Sequence, residues 1–210
     1  MVKTFKNFKE EINFEYVELP SRGECYPHKR PAVPIRYMTA NDENLFAARS
    51  LWEKHQVGEE LLKRLILDDE IYVAELCLGD REAILLNIYC MNYGTSLTTD
   101  DGETVDLSSI KVKPFFMSAD KDGYFDYTCK TCHTIKFRYP TYSNLKWLNE
   151  IAQNGEKDLE REYVELLLKD KIPSDMNEDD ISKLYRFINY TAPGLDTELM
   201  LGDSLFLRFE

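Results

Sequence analysis

The hydrophobic period of this chain changes twice along its length, and those two changes restrict the architectures open to it. Through Ile84, Leu85, Ile88 and Met91 the apolar residues recur at helical spacing. Between Ser96 and Tyr139 strand-like runs take over, with Val112, Phe115 and Phe116 in one, Tyr124, Phe125 and Tyr127 in the next, and Ile135, Phe137 and Tyr139 in a third. After Thr141 the helical period returns, in Leu145, Leu148, Ile151 and Ala152, then Leu159, Tyr163, Leu166 and Leu167, then Ile181, Leu184, Tyr185 and Ile188. Helices and strands segregated in this way predict an α+β fold rather than an alternating α/β one. The expected form is a helical N-terminal half, a small antiparallel sheet with a Cys-x-x-Cys hairpin knuckle, and a helical C-terminal third. Residues 1–140 read as the mixed core and 141–210 as a mostly helical region, which can equally belong to one continuous domain.

Local signals place the elements. Asn13–Leu19 alternates as a strand and runs into Pro20-Ser21-Arg22-Gly23, a turn by composition. Pro27, Pro31 and Pro34 keep the chain extended up to a short strand at Ile35–Met38. Thr39, with Asp42 three residues on, predicts the start of a helix over Ala40–Leu51, followed by a second over Val57–Leu67. Asp80, Thr141 and Asn177 are the candidate caps of later helices, the first covering Asp80–Asn92. The partly alternating tail, Leu199–Phe209, reads as a terminal strand or a docking segment.

A hydrophobic content of 43% is enough for a packed core. The formal net charge of −12, from 38 acidic and 26 basic side chains, argues against a general nucleic-acid binder and against anionic lipid surfaces. Lys29 and Arg30 with Arg22 and Arg36 form the nearest thing to a basic cluster, and so sparse a group reads as a solvated loop. No apolar segment of signal-peptide type follows Met1–Glu11, and the longest apolar runs fall far short of a membrane span. Five cysteines, an odd number, are expected to be reduced thiols in a cytoplasmic chain.

Cys129-Lys130-Thr131-Cys132 is the sharpest local chemistry. Two thiolates three positions apart on a tight turn make half of a tetrahedral zinc site. Cys25 and His28 are the candidate second half, with His133, Cys77, Cys90 and His55 behind them. Zn2+ is thus the one cofactor the sequence suggests, alongside the plainer reading of an empty reduced pair. The same stretch with His133 matches a haem-attachment pattern, which belongs to export compartments, and strand-like residues after it argue against a thioredoxin-type site. No Gly-x-Ser-x-Gly, Walker A or Gly-x-Gly-x-x-Gly pattern occurs, and the paired acids read as solvated surface. Asp120-Lys121-Asp122-Gly123 is a β-turn by composition, since the later ligands of a calcium loop do not follow it. The expectation is a non-enzyme. Trp52 and Trp147, on helices with polar neighbours, are candidate interface anchors.

Val17-Glu18-Leu19-Pro20-Ser21-Arg22-Gly23 with Tyr26-Pro27 resembles the opening of a family of baseplate hub subunits and hub assembly proteins from T-even-type contractile-tailed bacteriophages. The order continues in Ile35–Thr39, in Asp42-Glu43, in Leu78-Gly79-Asp80-Arg81, in Tyr93-Gly94 and in the cysteine knuckle before an amphipathic helix. The resemblance spans most of residues 14–150 and leaves the last sixty unmatched. It implies a late, non-enzymatic protein of the viral tail, working in the host cytoplasm during assembly as hub subunit or assembly chaperone. It further implies other hub or tape-measure proteins as partners, with no nucleic acid, membrane or small-molecule substrate. Pro20, Arg22, Gly23 and Tyr26 would then belong to the interface. Many members of that family carry a proline inside the Cys-x-x-Cys turn, where this chain has Lys130-Thr131. The reading from another class is a zinc-knuckle regulatory or nucleic-acid-associated module.

Overall fold

A computed structural model describes residues 12–53, 56–98, 102, 104–129, 134–153 and 158–196. The fold is mixed α+β, as the period changes predict, but its strands do not gather into one central sheet. Among the described residues they form four separate antiparallel pairs. β1 (Phe14–Glu18) pairs with β2 (Ala32–Arg36), which starts earlier than expected and carries Pro34 within it. The expected helix over Ala40–Leu51 divides into α1 (Ala40–Glu43) and α2 (Arg49–Glu53), followed by α3 (Val57–Leu65) and α4 (Leu78–Tyr93). β3 (Ser96–Thr98) pairs with β4 (Thr104–Asp106), and β6 (Phe125–Thr128) with β7 (Thr134–Phe137). Between them β5 (Lys111–Val112) finds a distant partner, β8 (Leu195–Asp196). The C-terminal third holds α5 (Tyr142–Gln153), α6 (Leu159–Leu167) and α7 (Glu178–Thr191).

The core centres on α4. Ala83, Ile84, Leu85, Leu86, Ile88 and Tyr89 are all buried, so this helix is enclosed on nearly every side. Around it an aromatic cluster joins the β6–β7 hairpin to its surroundings: the Phe115, Phe125 and Tyr139 rings lie 4.8 to 5.9 Å apart, and Phe137 packs 5.4 Å from Tyr139. Offset and edge-on aromatic pairs of this kind add to the burial of their area.

Three of the four expected caps, Thr39, Thr141 and Asn177, are present. The Asp42 carboxylate receives the Thr39 amide and hydroxyl, each at 2.8 Å, and both Arg36 guanidinium nitrogens at 2.7 and 3.0 Å. Burial opposes its ionisation, but these four donors outweigh burial and hold its pKa at about 2. Asn177 accepts the Asp180 amide at the start of α7, and Thr141 exchanges bonds with Asn144 at the start of α5.

The segment from Leu19 to Pro31 is a closed loop of consecutive turns, tied at its base by Leu19 N–H donating to Pro31 C=O at 2.8 Å. Two neighbours at its tip have positive φ, Arg22 (54°) and Gly23 (79°). A Cβ on Gly23 would lie 2.3 Å from the Arg30 carbonyl oxygen, closer than any real contact. Gly23→Ala is therefore expected to destabilise the fold by about 2–3 kcal/mol, from backbone strain plus overpacking. Urea denaturation checks it; an unchanged midpoint would mean that the loop can open without cost.

Candidate interaction site

Asp80 builds the first half of the site. The sequence suggested it as the cap of its helix, but α4 begins two residues earlier, with Cys77 at the cap position and Asp80 at the third helical position. From there its fully buried carboxylate leaves its own helix and accepts from the Leu19–Pro31 loop. It takes the Ser21 amide at 2.8 Å, the Ser21 hydroxyl at 2.5 Å and the Tyr26 hydroxyl at 2.7 Å. The Tyr26 oxygen in turn accepts the Cys77 amide at 3.1 Å. In an ordinary capping box the carboxylate would bond that cap amide itself. Here a tyrosine hydroxyl from 51 residues upstream stands between them.

Burial raises the pKa of Asp80, while the bonds from Ser21 and Tyr26 work against that rise. Burial likewise pushes the Tyr26 phenol and the Cys77 thiol well up, and the Cys25 thiol, hydrogen-bonded to Cys77, pushes the latter further. A thiol held protonated is a poor nucleophile. This node fastens the loop to the helix.

The second half lies against the other side of the same helix start. Cys77, Leu78 and Gly79 form one wall of a cleft of about 370 Å³, and α5, α6 and α7 form the rest through Leu145, Leu148, Leu159, Tyr163 and Tyr185. Leu78 N–H donates to Pro140 C=O at 3.0 Å, and Gly79 lies directly against Pro193 and Gly194. Within the cleft Tyr163 donates to Asn189 at 3.2 Å, and Tyr139 donates to Thr191 at 2.8 Å. The lining is mainly apolar.

α5 is unusual among the helices that line it. Its apolar residues keep regular helical spacing, yet none of its residues is buried; Leu145, Leu148 and Ile151 are only half-covered, and Trp147 is 39% exposed. The shorter α3 has five buried residues. The described residues thus leave the apolar side of this amphipathic helix only partly covered.

The residues predicted for a site are dispersed. Pro20, Gly23 and Tyr26 are buried within this chain, and of the loop's predicted contact residues only Arg22 is exposed. Trp52 is half-buried and donates its indole N–H to Phe46 C=O at 2.7 Å, which leaves Trp147 as the open tryptophan. Cys25 turns toward Cys77, whereas His28 stacks on Tyr26 at 5.0 Å and accepts the Arg30 amide at 3.2 Å. Cys129 is buried at the end of β6, while Cys132, His133 and His55 lie outside the described residues, as does the Leu199–Phe209 tail. Among the described residues no three side chains of metal-binding type come together. No described helix is long and apolar enough to cross a membrane.

Sequence reasoning missed the node and the cleft. No local signal marked the first, since Ser21 and Tyr26 lie 59 and 54 residues before Asp80. The second was hidden because the regular apolar stripe of α5 reads as a buried face, whereas the structure leaves it half-covered. Compared with protein-family models, curated proteins and solved structures, the chain matches none.

Proposed function

We propose that this chain is a non-enzymatic protein that binds another protein through the open apolar face of α5, and that it serves in assembling the central hub of a phage baseplate. The observation that carries the binding role is the cleft itself, an apolar recess of about 370 Å³ bordered by a regular helix with no buried residue. An apolar helix face of a partner suits such a recess, because knobs at helical spacing can fill it.

The phage assignment rests on the resemblance of Leu19–Gly23, Tyr26–Pro27 and Leu78–Arg81 to hub subunits and hub assembly proteins. Those segments are remote in sequence, yet Ser21, Tyr26 and Asp80 share one buried set of hydrogen bonds. The resemblance thus falls on residues that depend on one another.

Purified chain should retain a hub or tape-measure protein in a pull-down, and Leu148→Glu should reduce that retention by about tenfold or more, as loss of a central apolar contact does. Circular dichroism would establish that the variant keeps its helices. Retention of no tail protein, together with normal baseplates in phage lacking this chain, would sink the proposal.

A further inference from the structure

Two thiols from distant parts of the sequence meet beside the buried node. Cys25 lies in the Leu19–Pro31 loop and Cys77 at the start of α4, and the two share a hydrogen bond. Their neighbours hold them there. Tyr26, the residue after Cys25, has its hydroxyl 3.1 Å from the Cys77 amide nitrogen and 3.6 Å from the Cys77 sulfur. On the other side the Cys25 carbonyl lies against Gly123, where an added Cβ would be 2.8 Å from it. Both contacts fix the stretch of loop that presents Cys25 to Cys77.

The pair differs in access. Cys25 is half-buried, whereas Cys77 is 2% exposed, on the wall of the cleft. Among the described residues no third side chain of metal-binding type joins them. Two sulfurs in contact without further ligands suit covalent coupling to each other better than a tetrahedral metal.

We infer that Cys25 and Cys77 are a redox pair, which hydrogen peroxide converts into a disulfide tying the loop covalently to the start of α4. The more accessible Cys25 sulfur attacks one peroxide oxygen as a thiolate. The O–O bond breaks, leaving a sulfenic acid on Cys25 and a hydroxide that takes up the thiol's proton as water. The Cys77 sulfur then attacks the Cys25 sulfur, the S–O bond breaks, and a second hydroxide departs. The Cys77 proton reaches it by way of Asp80, whose carboxylate lies within hydrogen-bond reach of that thiol. Two thiols have lost two electrons and two protons, and one peroxide has become two waters. Burial keeps Cys77 protonated, so its contact with Cys25, and not a reactivity of its own, makes it the second partner.

Peptide mapping on the full chain tests this. The protein is freed of reductant and treated with excess hydrogen peroxide, and its remaining thiols are alkylated before digestion. The expected product is a peptide containing Cys25 joined to one containing Cys77, with the circular dichroism unchanged and the link undone by dithiothreitol. In urea the same link should form at least about tenfold more slowly, because the fold no longer holds the sulfurs together. Dimedone, which traps sulfenic acids, should label Cys25 at least about threefold more in Cys77→Ser than in wild type, since the second partner is gone. The wild-type mapping decides alone if that variant does not fold. Recovery of Cys25 and Cys77 as alkylated thiols, a link formed equally fast in urea, or Cys25 joined instead to Cys90, Cys129 or Cys132 would each overturn the inference. Equal dimedone labelling in a folded Cys77→Ser would overturn it too, by showing that Cys77 does not consume the Cys25 sulfenic acid.

Discussion

Asp80→Ala is expected to lower the free energy of unfolding by about 3–5 kcal/mol, the largest effect of any single side chain in the buried node. The carboxylate is the common acceptor for the Ser21 amide, the Ser21 hydroxyl and the Tyr26 hydroxyl, all buried. Truncation leaves the buried Ser21 amide and hydroxyl without their acceptor and the Tyr26 hydroxyl with only the weak Cys77 sulfur at 3.6 Å, and each unsatisfied group costs about 1–3 kcal/mol. Asp80→Asn keeps a carbonyl for the Ser21 amide and should lose about half as much. The two variants separate further with pH. Because burial raises the folded-state pKa of Asp80, the proton-linked part of its stability is full below the ordinary aspartate range and is lost as pH rises through the raised value. Asparagine does not titrate, so the Asn variant should show a flatter dependence over that window. Urea unfolding between pH 4 and 7 measures both. A midpoint for Asp80→Ala within about 0.5 kcal/mol of wild type would mean that the loop is held by something other than this node.

Gly79→Ala should be nearly as damaging, about 2–4 kcal/mol, for a steric reason. A Cβ there would lie 1.9 Å from the Pro193 carbonyl oxygen and 2.5 Å from the Gly194 Cα. Both are main-chain atoms, so no rotamer change relieves the contact. The segment that must give way leads straight into β8, whose pairing with β5 should loosen with it. Thermal unfolding gives the magnitude, and exchange at Val112 and Leu195 reports the loosening. Gly58 is the useful contrast: its added Cβ would meet only the end of the Arg81 side chain, at 2.8 Å. Full stability in Gly79→Ala would refute the close packing of α4 on this segment.

The sequence made the helices legible where a cap preceded a periodic face, as at Thr141 and Asn177, because both signals are local; behind Thr39 the cap is present but its helix runs only over Ala40–Glu43. It also made the β6–β7 hairpin legible, since alternation on either side of a turn is local too. What escaped it depended on long-range partners. Lys111 and Val112 look like the start of a longer strand, but only those two residues pair, and with a segment over 80 residues away. Phe115 was placed in the same run and instead packs its ring against Phe125 and Tyr139. Pro34 suggested that a strand would begin after it, yet at a non-bonded position its missing N–H costs nothing. In the candidate site, Trp147 was legible as an open aromatic. Pro20, Gly23 and Tyr26 stood out in the sequence because the fold requires them inside, a distinction that needs Asp80 in view.

The first turn of α4 also constrains the order in which the chain can acquire its structure. Tyr26 meets it from upstream, whereas Pro140, Pro193 and Gly194 meet it from downstream. As the chain is synthesised from its N-terminus, the β1–β2 hairpin can form from local contacts alone. Its connecting loop gains its acceptor only with Asp80, and the helix start that carries Asp80 gains its packing partners only with Pro140, Pro193 and Gly194. Closing loops of that length is slow, because their entropy is lost before the contacts repay it. The first turn of α4 can therefore complete its native contacts only after Gly194 has been made, although its own residues lie in the middle of the sequence.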